Sequence, residues 1–160
     1  MTTTIQNTGA LVNTRVFDAS KDLVWKAFTE PEQLMKWCGP KNFTAPVSKI
    51  DLRVGGEYFY CMRSPEGQDY WNKGVYREIA PLQKLVMTDS FADEKGNTVP
   101  ASHYEMPGEW PLELQVTVTF EEQDGKTKLT LKHEGLPIQM KDLCRDGWNE
   151  SFDKLAESIR

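Results

Sequence analysis

His133 is the residue in this sequence best suited to proton chemistry. It follows Leu129 and Leu131 at alternate positions, so the three share one face of a strand and His133 points inward with its apolar neighbours. Histidine is the side-chain type whose ordinary titration lies nearest neutrality, which suits general acid–base work or a polar anchor for a ligand. A core histidine bonded to a carbonyl or hydroxyl is the commoner fate. The sequence assigns it no partner carboxylate; a catalytic reading would require Glu78 or a tyrosine hydroxyl beside it. Tyr58, Tyr60, Trp71 and Tyr76 offer aromatic faces for stacking on a ligand, but such residues are also ordinary strand formers.

The other reactive types lack the neighbours that chemistry needs. Cys144 has no evident base beside it. Cys38 follows Trp37 at the end of a helix, not at a helix N-terminus that would favour its thiolate. His103, Glu105 and Glu109 lie in a polar, proline-rich segment and do not have a zinc spacing. No nucleophile elbow, P-loop or dinucleotide-binding glycine fingerprint is present. The sequence therefore assigns no catalytic residue, no metal and no cofactor.

These side chains must be positioned by a small set of elements. Arg15 to Ala19 reads as a first strand, and Ser20 caps a helix carrying Leu23, Val24, Ala27 and Phe28. Pro31 opens a second short helix, Glu32 to Trp37, which Gly39-Pro40 stops. The period then alternates. Strands are expected over Val47–Leu52, Glu57–Arg63, Tyr70–Ile79 and Lys84–Phe91. Both faces of Glu57–Arg63 carry apolar groups, so its inward face is not defined. Leu112, Leu114, Val116, Val118 and Phe120 alternate with polar residues, and Asp124-Gly125 then turns the chain into the strand of His133. Ala92 to Pro111 is longer than typical connections and is a candidate lid. Met140, Cys144, Trp148, Phe152, Leu155 and Ile159 form a helical stripe in a long final helix.

Strands followed by one long helix define an α+β class. A strongly curved sheet around a single helix cannot always fill its own interior, and what remains is a cavity, apolar with a few polar groups. The wall near Met140, Cys144 and Trp148 is the most plausible ligand-facing part of the helix, with His133 and Tyr76 as the polar groups that orient a ligand.

Composition agrees with one globular domain: 160 residues, 39% hydrophobic and 27% charged. A net charge of −5 argues against nucleic acid and against a polybasic membrane anchor. No stretch is apolar enough to insert into a membrane. The three cysteines are odd in number and far apart, so a disulfide framework is not suggested and a reducing cytoplasm is the simplest compartment. Residues 1–13 are polar and read as a flexible segment before a single domain over 14–160.

Several motifs together resemble one family. They are Val24-Trp25-Lys26-Ala27-Phe28-Thr29-Glu30-Pro31 with Leu34, Trp37 and Gly39-Pro40; Asp51-Leu52-Arg53-Val54-Gly55-Gly56; Gly74-Val75-Tyr76-Arg77-Glu78-Ile79 with Pro81; the late hairpin through Val118–Glu121 and Gly125–Leu131; and Gly147-Trp148 before Phe152 and Leu155. In order and spacing they resemble the activator of heat-shock-protein-90 ATPase homologue-like family of the START/SRPBCC superfamily, which includes the birch pollen allergen. The resemblance implies the helix-grip fold, a curved antiparallel sheet around a long C-terminal helix with two short helices after the first strand. Within the motifs, Asp51 and Arg53 suit a structural ion pair, and Trp25 and Trp37 suit packing of the short helices.

Fold does not fix function. The leading expectation is non-catalytic binding of a small apolar or amphipathic molecule through His133, Tyr76, Met140, Cys144 and Trp148. A cofactor-free cyclase, dehydratase or lyase in the same cavity is the second. An interaction module, with a filled interior and an exposed apolar patch, is the third. The co-chaperones that name the family carry an additional domain for which this chain is too short, so the resemblance does not imply a chaperone partner. Exposed sheet edges leave a homodimer open.

Overall fold

Seven strands form one antiparallel sheet in the order β1-β7-β6-β5-β4-β3-β2. They are β1 (Leu11–Phe17), β2 (Thr44–Ile50), β3 (Glu57–Arg63), β4 (Asp69–Ala80), β5 (Lys84–Ala92), β6 (Leu114–Gln123) and β7 (Lys126–Glu134). Two short helices, α1 (Lys21–Thr29) and α2 (Pro31–Leu34), separate β1 from β2, and α3 (Lys141–Ser158) closes the chain. The computed structural model describes residues 10–159. This is the expected α+β helix-grip arrangement: the sheet curls around α3.

The sequence signals explain most of the elements. In β6, Leu114, Val116, Val118 and Phe120 are buried and alternate with half-buried polar residues. Asp124 (φ 53°) and Gly125 (φ 80°) both take left-handed backbone, as a two-residue hairpin turn needs. The Ser20 hydroxyl accepts from the Leu23 amide at 3.4 Å and caps α1.

Three elements differ most from expectation. The first strand starts at Leu11, not Arg15, because Leu11 is fully buried opposite His133 and carries the β1–β7 ladder to its end. Residues 11–13 of the segment expected to be flexible are thus part of the sheet, while residues 1–9 lie outside the described residues. The second helix spans only Pro31–Leu34. A turn then swings Trp37 back over α1, where its indole donates to the Ala27 carbonyl at 2.9 Å. The strand expected over Val47–Leu52 is Thr44–Ile50, with a register shift between Thr44 and Val47 where Pro46 has no N–H to give the ladder.

The larger part of the core lies under the second half of α3. Phe152 and Leu155 are fully buried, and Phe152 meets Phe17 edge-on at 5.8 Å. Trp25 and Phe28 from α1 both pack on Phe120, at 5.3 and 5.7 Å between ring centroids. Ser151 donates to the Gly39 carbonyl at 2.8 Å, and the Lys154 ammonium donates to the Pro40 and Phe43 carbonyls, both at 3.1 Å. These bonds tie the loop after α2 to the helix. The first half of α3 is different: Leu143 is exposed, and Cys144 and Trp148 are only half-buried. There the helix touches the sheet mainly through Cys144 and Trp148, which pack on the small cluster of Leu11, Leu114 and Leu136.

The expected ion pair between Asp51 and Arg53 is present at 2.9 Å on the surface, where such pairs contribute little. Its adjoining Gly55-Gly56 turn has a clearer role. The Gly55 amide donates to the Tyr76 carbonyl at 2.8 Å, and the Tyr76 amide to the Gly56 carbonyl at 3.0 Å. The turn therefore clamps β4 at Tyr76.

Candidate functional site

The space beneath the first half of α3 is a cavity of about 650 Å³. Its walls come from the concave face of β3 to β7, the loop after α2, and the helix. Among its lining residues are Tyr58, Tyr60, Tyr70 and Tyr76, with Met87, Val116 and Val118 between them. All five residues expected to face a ligand, His133, Tyr76, Met140, Cys144 and Trp148, line it.

The inward face of β3 is now defined. Tyr58, Tyr60 and Met62 line the cavity, whereas Phe59 stacks on Trp71 at 5.0 Å on the other face. Trp71, expected among the ligand-stacking aromatics, is therefore turned away; strand alternation places Tyr70 and Asn72 inward instead. The candidate lid contributes wall: Met106 and Trp110 line the cavity. Tyr104 fastens the segment by accepting from the Trp71 amide at 3.1 Å and donating to the Ala92 carbonyl. His103 sits in a short 3₁₀ turn, Ala101–Tyr104, against the Tyr104 ring.

His133 is 6% exposed and holds the polar centre of the cavity. The Trp148 indole donates to its Nδ1 at 3.2 Å. An indole N–H can only donate, so Nδ1 is an acceptor and the ring proton sits on Nε2. That nitrogen stands 3.2 Å from Oδ2 of Asp89. Yet it makes no aligned hydrogen bond, and Oδ1 of Asp89 and Nδ2 of Asn72 also have no partner within the protein. The two side chains are in contact without satisfying each other. Asp89 is the residue of this polar centre that the sequence reading did not name. The expected partner Glu78 instead pairs with Lys84 at 3.5 Å on the surface.

Three phenols and two thiols of the wall are held neutral. Burial pushes the phenols of Tyr58, Tyr60 and Tyr76 upward, and Asp89 adds to the first two through its charge. Burial likewise raises the Cys38 thiol to about 12 and the Cys144 thiol to about 11. Neither is then a nucleophile at neutral pH. Iodoacetamide at pH 7.5 is expected to leave both unmodified in the folded protein over a period that fully alkylates them in denaturant. Rapid native alkylation of Cys144, read by peptide mass mapping, would contradict this.

A helix-grip sheet enclosing an apolar cavity with one buried polar centre defines a protein of the START/SRPBCC class. Within it, residues 18–160 match the family model described as Activator of Hsp90 ATPase homolog 1-like protein, and the chain belongs to that family. Solved structures agree. A protein from Chromobacterium violaceum is 28% identical with a TM-score of 0.78, covering 94% of this chain and 96% of its own. One from Mycobacterium smegmatis is 26% identical with a TM-score of 0.75, covering 96% and 90%. An AHSA1 protein from Silicibacter pomeroyi, at 24% identity and a TM-score of 0.75 over 94% and 96%, shares the fold. No curated protein matches the sequence. Among the described residues no helix is long and apolar enough to cross a membrane.

Proposed function

We propose that the protein binds a small, mainly apolar molecule in the cavity between the sheet and α3. The observation that carries this reading is the cavity itself: about 650 Å³, walled mainly by aromatic and aliphatic side chains, with His133, Asp89 and Asn72 as its buried polar groups. Such a wall gains about 25 cal/mol for each Å² of apolar ligand surface it covers. His133, Tyr76, Met140, Cys144 and Trp148 are the proposed contacts, joined by Asp89. An interior filled by the protein's own side chains would have favoured a protein-interaction module, and the open cavity weighs against it. Three free thiols suit a reducing cytoplasm as the place of action.

Native mass spectrometry of the protein from its own cells tests this directly. A stoichiometric small molecule that leaves on unfolding is expected, and Val116→Trp, which fills the cavity from β6, should abolish it. A bare protein mass, together with calorimetry showing no heat of binding for naphthalene, would sink the reading.

The His133–Asp89 contact favours a second reading, cofactor-free proton transfer on a bound carbonyl compound. It predicts exchange of the α-protons of a bound aryl ketone with deuterium oxide, lost in His133→Leu. Exchange no faster than in buffer would remove it.

A further inference from the structure

We infer that the cavity selects a neutral hydroxyl group, an alcohol or phenol carried on an apolar body, and rejects carboxylates. This deepens the binding function proposed above and rests on it.

Three buried polar atoms of cavity-lining residues lack a partner within the protein: Nε2 of His133, Nδ2 of Asn72 and Oδ1 of Asp89. His133 and Asn72 are each only 6% exposed. The proton on Nε2 follows from the Trp148 indole occupying Nδ1. The centre therefore offers two donors and one anionic acceptor. Asp89 lies between them. On β5 it is the diagonal neighbour of Asn72, which pairs with Phe91, and it reaches His133 across β6 at 3.2 Å.

Each ligand group can be tried against that set. A carboxylate or phosphate has acceptors only; it would meet the charge of Asp89 at the centre and of Asp146 and Glu150 along the helical wall. An ammonium has donors only and would leave His133 and Asn72 unpaired. A lone carbonyl would leave Asp89 unpaired. A hydroxyl has one proton for Asp89 and two lone pairs for His133 and Asn72. Of these groups only the hydroxyl satisfies all three, and buried polar groups left unpaired are strongly disfavoured. Burial holds the phenols of Tyr58, Tyr60 and Tyr76 neutral, so the carboxylate of Asp89 is the charge nearest the polar centre.

Three probes of one shape separate the possibilities: naphthalene, 2-naphthol and 2-naphthoate, titrated calorimetrically at pH 7. A charge-assisted hydrogen bond predicts 2-naphthol binding at least about tenfold tighter than naphthalene, with 2-naphthoate weakest. In His133→Leu the ratio of 2-naphthol to naphthalene affinity should fall to about one. Asp89→Asn, nearly isosteric and safe for folding, removes the charge and should raise 2-naphthoate affinity about tenfold or more. Equal binding of naphthol and naphthalene by the unaltered protein, or naphthoate binding best, overturns the inference while leaving the cavity a ligand site. Binding of none of the three overturns the cavity reading and the inference with it.

Discussion

Gly74→Ala is expected to destabilise the protein by about 3 kcal/mol, at the upper end of overpacking costs. The residue does not take left-handed backbone, so the requirement is for space, not for conformational freedom. A β-carbon there would sit 2.0 Å from the Thr88 carbonyl oxygen and 2.5 Å from the Tyr58 ring. The first contact is with backbone and cannot be relieved by a rotamer change. Tyr58 pairs with Gly74 across β3 and β4 and lays its ring over it, so that its hydroxyl donates to the Thr88 carbonyl. The Thr88 hydroxyl in turn accepts from the Val75 amide at 2.8 Å. Side chains thus replace ladder bonds between β4 and β5 at the position next to Asp89. For a chain of this size, 3 kcal/mol corresponds to a fall in Tm of roughly 6–12 °C. Thermal unfolding checks it, and a Tm within about 2 °C of the parent would refute the packing argument. Because Thr88 adjoins Asp89, the variant should also weaken hydroxyl-bearing ligands more than apolar ones.

The contrast between Gly74 and Asp89 shows what a single sequence makes legible. Local periodicity carried far. The stripe from Met140 to Ile159 gave the long helix and its cavity-facing residues, and the alternation in β6 and β7 placed His133 inward, as found. The motif resemblance supplied the helix-grip topology. What remained hidden depends on pairing between distant strands. In β3 the aromatic residues occupy both faces, so pattern alone could not separate Tyr58 and Tyr60 from Phe59, which belongs with Trp71. Asp89 stands in a strand of mixed residues, and its approach to His133 is created by the curl of β5, β6 and β7 together. An acidic residue flanked by Thr88 and Ser90, between the apolar runs Leu85–Met87 and Phe91–Ala92, was the available signal. Gly74 gave a similar clue, since a glycine inside a strand marks a close approach.

Asn72→Val combined with Asp89→Val should stabilise the protein by about 2–3 kcal/mol, raising Tm by roughly 4–12 °C. Both residues are poor strand formers set in strands, where valine is favoured. Each leaves a buried polar atom without a hydrogen bond in the protein, and replacing such groups by apolar ones of similar size removes a desolvation penalty. The two sites are neighbours on one concave face, so their effects should couple and not simply add. The same variant should lose discrimination between 2-naphthol and naphthalene. Gain of stability with loss of discrimination would mean that these side chains are retained for what they recognise, at the expense of the fold. Loss of stability would instead make Asn72 and Asp89 structural parts of the sheet. The hydroxyl-recognition reading would then rest on His133 alone, which has one donor to offer and cannot by itself distinguish a hydroxyl from a carbonyl.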